Sequence, residues 1–204
     1  MGNLRSVEKA LAFVGASPLR VAHPDGLAGL SGVVLPGVGA FGDCATRLAQ
    51  TGLWAPLQEW IGKGKPFLGI CLGYQLLFEG SAESPGVAGL GILPGKVVRF
   101  PQGVGKIPQI GWNAIRIRRE SDFTRGIRSG DFVYFVHSYF PVPEETEWIA
   151  METDYGMPFA SGVSRGALLA VQFHPEKSQR VGLQLLTNFV EVAARREAAI
   201  LSAP

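Results

Sequence analysis

Between an apolar run, Pro66-Phe67-Leu68, and a stretch of helical character, Tyr74-Gln75-Leu76-Leu77-Phe78-Glu79, stands the pentapeptide Gly69-Ile70-Cys71-Leu72-Gly73. A G-x-C-x-G pattern at a strand-to-helix turn is the cysteine form of a nucleophile elbow. The glycines permit a sharp turn and close packing, and the residue between them is held out at the top of a sheet. A cysteine so placed sits at a helix N-terminus, where unpaired backbone N–H groups carry partial positive charge and favour thiolate over thiol. The N–H of Leu72 points to the same spot and can stabilise an oxyanion. The plainer alternative is a small buried cysteine in a glycine-rich turn.

The flanking sequence supplies the strands and helices that such a turn joins. Leu4, Val7, Leu11 and Val14 recur at helical spacing and predict an amphipathic helix over about 3–15. Residues 19–23 and 32–35 are short strand candidates, 41–50 and 53–62 read as helices, and 66–70 as a buried strand. This is a parallel α/β pattern. Residues 91–142 are rich in aromatic and β-branched runs broken by Gly and Pro, and 148–173 continue with strands and turns. The last helix is expected from 178 to about 200, with Val181, Leu185, Phe189 and Val192 as its apolar stripe. No repeat, low-complexity segment or linker interrupts the chain.

Far downstream of the elbow, Ala170-Val171-Gln172-Phe173-His174-Pro175-Glu176 reads as a strand running into a polar turn. Pro175 biases His174 toward extended backbone, and side chains two apart on extended backbone point the same way. His174 and Glu176 therefore make a base and the carboxylate that orients it, the pair a nucleophile needs. A histidine at a strand end is commonly structural; the cysteine elbow is what turns the reading toward a Cys71–His174–Glu176 triad. Gln75 lies one helical turn beyond Cys71 on the same face and can border a thiol pocket. The loop Pro36-Gly37-Val38-Gly39 ends a strand, where α/β sheets place ligands, and its glycines allow backbone angles that turn an N–H inward. Residues 133–139, Val-Tyr-Phe-Val-His-Ser-Tyr, look like a buried strand with a polar end. His137 in that segment competes for the role of base but has no carboxylate beside it.

Composition excludes several functions. With 19 basic and 17 acidic residues the formal charge is +2, and no long basic run marks a nucleic-acid surface. The clusters Arg116-Ile117-Arg118-Arg119 and Arg195-Arg196 read as solvated faces. The 204 residues, 47% of them hydrophobic, suit one domain over 1–204 with an ample core. Two cysteines, Cys44 and Cys71, form no disulfide framework, and a reducing cytoplasm fits a reactive thiol. Cys44 has no motif around it. There is no signal-peptide pattern and no apolar stretch of membrane-spanning length, so a soluble cytoplasmic protein is expected.

The elbow Gly69-Ile70-Cys71-Leu72-Gly73-Tyr74-Gln75 and the segment Gln172-Phe173-His174-Pro175-Glu176-Lys177-Ser178 resemble the signatures of class I, triad-type glutamine amidotransferases. Leu35-Pro36-Gly37-Val38-Gly39-Ala40-Phe41-Gly42, Pro108-Gln109-Ile110-Gly111-Trp112-Asn113 and Tyr134-Phe135-Val136-His137-Ser138-Tyr139 narrow the resemblance to the glutaminase subunits of imidazole glycerol phosphate synthases, of histidine biosynthesis. The resemblance runs nearly end to end. It implies a flavodoxin-like α/β fold with a mixed, mostly parallel sheet flanked by helices. It implies that Cys71, His174 and Glu176 hydrolyse glutamine, with Leu72 and Val38 as oxyanion donors in a loop flanked by Gly37 and Gly39. Gln75 and Glu83 would border the substrate, and His137, Ser138 and Tyr139 would hold its amino-acid end. No metal or organic cofactor is implied. The ammonia would pass into a (β/α)₈-barrel cyclase in a heterodimer, with Asn3, Trp112, Tyr134 and Lys177 at or near the interface. Glutaminases serving pyridoxal phosphate, guanylate or anthranilate synthesis are the nearer alternative, and should lack the Gly-Trp-Asn segment and this form of the PGVG loop. A non-catalytic subunit is the farther one, against which an intact Cys, His and Glu argue.

One departure stands out. In the family a first apolar strand and a short turn precede the Gly-Asn that appears here as Gly2-Asn3. That strand is central and buried on both faces, and it is absent from this sequence. The expectation is a start assigned at an internal Met1, and a sheet lacking one interior strand.

Overall fold

The run ahead of the elbow is a strand, and the rest of the molecule is built outward from it. The structure is a computed structural model describing residues 4–201. In chain order its elements are α1 (Leu4–Phe13), β1 (Val33–Gly37), α2 (Phe41–Gln50), α3 (Trp54–Gly62), β2 (Phe67–Cys71) and α4 (Leu72–Gln75). There follow β3 (Gly95–Arg99), β4 (Gln109–Ile117), β5 (Phe132–His137), β6 (Tyr139–Pro143), β7 (Ile149–Asp154), β8 (Pro158–Arg165), β9 (Leu168–Val171) and α5 (Gln179–Leu201).

Seven strands form one sheet in the order β1-β2-β9-β8-β7-β4-β5, and β3 pairs with β6 in a separate ribbon. Parallel pairing is confined to β1, β2 and β9, and β8, β7, β4 and β5 continue the sheet antiparallel. The sheet is thus mixed, but parallel pairs do not predominate as expected. The β-rich stretch after residue 91 returns by short connections, which only antiparallel neighbours accept.

Alternation along the central strands divides two apolar layers. Leu68 and Ile70 of β2 and Leu169 and Val171 of β9 face α1 and α5, where they join Val7, Leu11, Val181, Leu185 and Phe189. Phe67, Leu168 and Ala170 point the other way and pack with Phe41, Leu48, Leu57 and Trp60 of α2 and α3. Every residue of β2 is buried, as a strand covered on both faces requires.

The expectations for residues 19–23 and 74–79 change, and β1 stands at a sheet edge. Residues 19–23 form no strand: His23 has extended backbone angles, but no ladder partner lies beside it, and Leu19 is 75% exposed. β1 has a partner only on its β2 side, and all five of its residues are half-buried rather than buried. The place where an interior strand was expected is therefore a sheet edge among the described residues. The helix expected over 74–79 is a single turn, α4. Leu76, Leu77 and Phe78 are all fully buried, and their carbonyls accept from the amides of Leu90, Ile92, Leu93 and Gly91 rather than continuing a helical ladder.

Candidate active site

Cys71 is the last residue of β2 and the N-cap of α4, at φ 54° and ψ −107°. A non-glycine residue in that region is strained, and such strain collects at functional sites. Close approach is what the flanking glycines permit. A Cβ at Gly73 would be driven into the Leu35 carbonyl oxygen, and one at Gly69 would lie 2.9 Å from the Gly73 carbonyl oxygen. The strand, the turn and the loop after β1 are thereby stacked backbone on backbone, with the thiol held at their common end.

His174 follows β9 across the sheet. Its backbone N–H donates to the Tyr134 carbonyl at 3.0 Å, and its carbonyl accepts from Ser178 Oγ at 2.7 Å. Ser178 Oγ also accepts from the Tyr134 N–H at 3.0 Å, so this turn is tied to β5 on both sides. The ring nitrogen Nδ1 lies 2.7 Å from Glu176 Oε1, and both side chains are almost completely buried. Burial alone would lower the pKa of His174. The hydrogen bonds it makes with Cys71 and with Glu176 outweigh that and raise it to about 9. At neutral pH His174 is an imidazolium between the thiol and the carboxylate, with Nδ1 donating to Glu176.

A cleft of about 340 Å³ opens at this point. It is lined by Cys71, Leu72, Gln75 and His174 together with Val38, Gly39, Glu83, Pro108, Val136, His137, Ser138 and Tyr139. The structure thus brings together nearly every residue singled out for catalysis and substrate binding. Two of them do not line the cleft: Glu176 joins the site through His174 Nδ1, and Gly37 packs on Leu72 and Gly73, where a Cβ would lie 2.7 Å from Leu72 Cβ. Glu83 Oε2 accepts from the Phe41 N–H at 2.8 Å, so this carboxylate sits at the start of α2 as well as on the cleft. His137 is buried and its pKa is lowered to about 4, chiefly by desolvation, although its contact with the Tyr139 carbonyl opposes this. The 2.8 Å approach of Nδ1 to that carbonyl identifies Nδ1 as the protonated nitrogen. A neutral, inward-tied ring packed by Phe100, Phe135 and Phe159 is a poor base for Cys71.

Two residues of the site were quoted in the sequence motifs but given no role. Ser178 anchors the His174 turn, as above. Gln172 is fully buried, and its Nε2 reaches Cys71 Sγ at 3.6 Å. Motif position marked neither, since the signal is a hydrogen bond to a residue distant in sequence.

Outside the cleft, Trp112 and Tyr134 are cross-strand partners with ring centroids 6.0 Å apart, and Lys177 Nζ lies 5.7 Å from the Tyr134 ring centroid. Asn3 lies outside the described residues. Among the described residues no group of three or more His, Cys, Asp or Glu is placed to hold a metal ion, and no helix is long and apolar enough to cross a membrane.

Residues 18–193 match the family Glutamine amidotransferase class-I. The chain belongs to this family. Among curated relatives, the imidazole glycerol phosphate synthase subunit HisH of Aquifex aeolicus is 52% identical over 96% of this chain and 94% of that protein. HisH of Moorella thermoacetica is 50% identical over 94% and 91%, and HisH of Archaeoglobus fulgidus 45% identical over 96% of each. Solved structures share the class I amidotransferase fold at lower identity. A glutamine amidotransferase crystal structure has TM-score 0.73 at 22% identity, covering 95% of both chains. PurLQS of Thermotoga maritima has TM-score 0.73 at 20% identity, covering 96% of this chain and 93% of that one. The glutaminase domain of Trypanosoma brucei CTPS has TM-score 0.67 at 18% identity, covering 95% and 89%.

Proposed function

We propose that this class I amidotransferase is the glutaminase subunit of an imidazole glycerol phosphate synthase. It would hydrolyse glutamine and deliver the ammonia to a (β/α)₈-barrel cyclase subunit, which makes imidazole glycerol phosphate and an aminoimidazole carboxamide ribotide. The observation that carries the chemistry is Cys71 at a strained elbow, hydrogen-bonded to a His174 that Glu176 holds at 2.7 Å. The specific pathway rests on relatives at 43–52% identity that are named HisH.

In the first half-reaction the Cys71 thiolate attacks the side-chain amide carbon of glutamine. The negative charge moves to the amide oxygen, which the N–H groups of Leu72 and Val38 receive. His174 gives its proton to the leaving nitrogen, the C–N bond breaks, and ammonia departs from a γ-glutamyl thioester. Neutral His174 then takes a proton from water as the resulting hydroxide attacks the thioester. Glutamate leaves and the thiolate–imidazolium pair is restored. Glu176 keeps the ring oriented and stabilises its charged form throughout. Gln75, Glu83, His137, Ser138 and Tyr139 would hold the glutamine, and Gly37 and Gly39 let the Val38 peptide approach the reacting carbonyl.

The cyclase would dock on the outer face of β4 and β5. Register sets Ile110, Trp112 and Ala114 opposite Val136, Tyr134 and Phe132 on that face, and Ile110, Trp112 and Phe132 are 60%, 42% and 57% exposed. Lys177 adds a cation beside Tyr134. The chain would work in the cytoplasm, where its substrate is made and its thiol stays reduced.

The test is Cys71→Ala in the complex with the cyclase. Glutamine-dependent synthesis should fall roughly 10⁴-fold or more, on the scale of losing a triad member. Synthesis from added ammonia should be unchanged, since free ammonia bypasses the thiol. Glutamine turnover above a few per cent of wild type would show that Cys71 is not the nucleophile.

A further inference from the structure

We propose that Gln172 is a further catalytic residue, whose side-chain N–H donates to Cys71 Sγ and holds negative charge on the sulfur. The proposal rests on the reading of Cys71 as the nucleophile. Its argument begins at Tyr139, whose backbone carbonyl can only accept. Gln75 Nε2 donates to that carbonyl at 2.9 Å, which fixes which way the Gln75 amide is turned. The same nitrogen meets Gln172 Oε1 at 3.1 Å, so the Gln172 oxygen is the acceptor there. Its nitrogen is then necessarily the atom facing Cys71 Sγ, at 3.6 Å. Turning the Gln172 amide over would set two NH₂ groups against each other and a carbonyl oxygen against the thiolate. The direction of this chain therefore follows from a single backbone carbonyl.

The donor is held rigidly. Gln172 is fully buried and follows directly on β9, and its backbone N–H donates to the Ser161 carbonyl at 2.9 Å. Gln75 is itself 4% exposed. The donor amide is shut away from solvent, and a hydrogen bond to an ionised acceptor from such surroundings is among the stronger kinds. The contribution falls in both halves of the reaction. Before attack the bond pins the sulfur at the elbow. When the thioester is hydrolysed the thiolate is the leaving group, and the same N–H receives its returning charge. The titratable groups lining the cleft beside this sulfur are His174, His137, Glu83 and Tyr139, and Cys44 lies near enough to feel its charge; the side-chain amide that reaches the sulfur is that of Gln172.

The experiment follows Cys71 alkylation by iodoacetamide against pH in the full chain, with Cys44→Ala to remove the second thiol. In Gln172→Leu the rate at pH 7 should fall about tenfold, the value of one hydrogen bond to a charged group. The alkylation profile should move to higher pH. In the complex, kcat for glutamine should fall by a similar factor while KM changes less than about twofold. A folded Gln172→Leu with an unchanged profile overturns the proposal. Should that variant not fold, the wild-type chain decides by ¹⁵N-glutamine NMR. One of the two Gln172 Nε2 protons should shift when Cys71 is alkylated, and no shift overturns the proposal equally. Failure of the underlying reading looks different: Cys71→Ala would then keep hydrolysing glutamine. Failure of this proposal alone leaves Cys71 essential and Gln172 silent.

Discussion

Two buried histidines in one cleft differ in charge, one cationic and one neutral, because their neighbours differ. His174 has a thiol and a carboxylate as partners and is raised to about 9; His137 has a carbonyl and aromatic rings and is lowered to about 4. Each makes stability depend on pH in its own window. For His174 the folded state binds the proton more tightly than the unfolded one. Its contribution is complete below the unfolded value near 6.5 and is lost as pH rises through about 9. Replacing Glu176 by Gln removes the carboxylate and should lower the His174 midpoint, read from the imidazole proton shifts. A midpoint unmoved in Glu176→Gln would mean that Glu176 does not hold this ring. For His137 the unfolded state binds the proton more tightly. Stability is therefore lost as pH falls from about 6.5 to about 4, by on the order of 3 kcal/mol from this group. In His137→Gln the melting temperature should fall less steeply over that range than in wild type. Equal slopes would show that His137 is not the group responsible.

At the scale of elements, the elbow leaves no room for an added side chain at Gly73. Gly73→Ala places a methyl group against the Leu35 carbonyl and should separate β1 from α4, displacing Cys71 and abolishing glutamine hydrolysis. An active, normally melting Gly73→Ala would contradict the close stacking of these backbones. Strand position sets a second contrast. Leu68→Ala, in the centre of fully buried β2, should cost about 2–5 kcal/mol by chemical denaturation. Val34→Ala in half-buried β1 should cost clearly less, and equal losses would mean that β1 is as enclosed as β2. Where local pattern and tertiary environment agree, the sequence was legible: the helices at 41–50 and 54–62 and the strand at 67–71 lie within a residue or so of expectation. It misled where pairing decides. Residues 19–23 have strand composition but no neighbour to pair with, and 76–78 have a helical pattern but bury every side chain. The cleft divides the same way. Cys71, His174 and Glu176 were readable because each stands in a short motif whose chemistry is local. The tie from Ser178 to Tyr134 and the amide chain through Gln75 and Gln172 join residues far apart in sequence, and only the folded chain shows them.

At the scale of the molecule, the cleft and the exposed aromatic face share strand β5. Its inward residues Val133, Phe135 and His137 are buried, its outward residues Phe132, Tyr134 and Val136 belong to the open face, and Val136 and His137 also line the cleft. A body seated on that face would adjoin the cleft at Val136. An apolar patch with Trp112 and Phe132 exposed is the kind of surface that a partner covers. Trp112→Ala should therefore weaken binding of the cyclase about tenfold or more, as central aromatic anchors do. The free variant should melt within a few degrees of wild type, because the ring supports little of the core. The same geometry bears on activity. Val38 lines the cleft at 43% exposure, Gly39 beside it has φ 98°, and both lie beyond Gly37, the last residue of β1 paired with β2. A donor that turns inward only on docking would leave the free chain a poor glutaminase, since one oxyanion donor is worth about 10²–10³-fold. Glutaminase rates measured with and without the cyclase should differ by at least that factor. Trp112→Ala should need correspondingly more cyclase to reach the fast rate, with synthesis from added ammonia retained at saturation. Full glutaminase activity in the isolated chain would remove the case for a turning Val38 peptide, and unchanged cyclase affinity in Trp112→Ala would move the docking surface elsewhere.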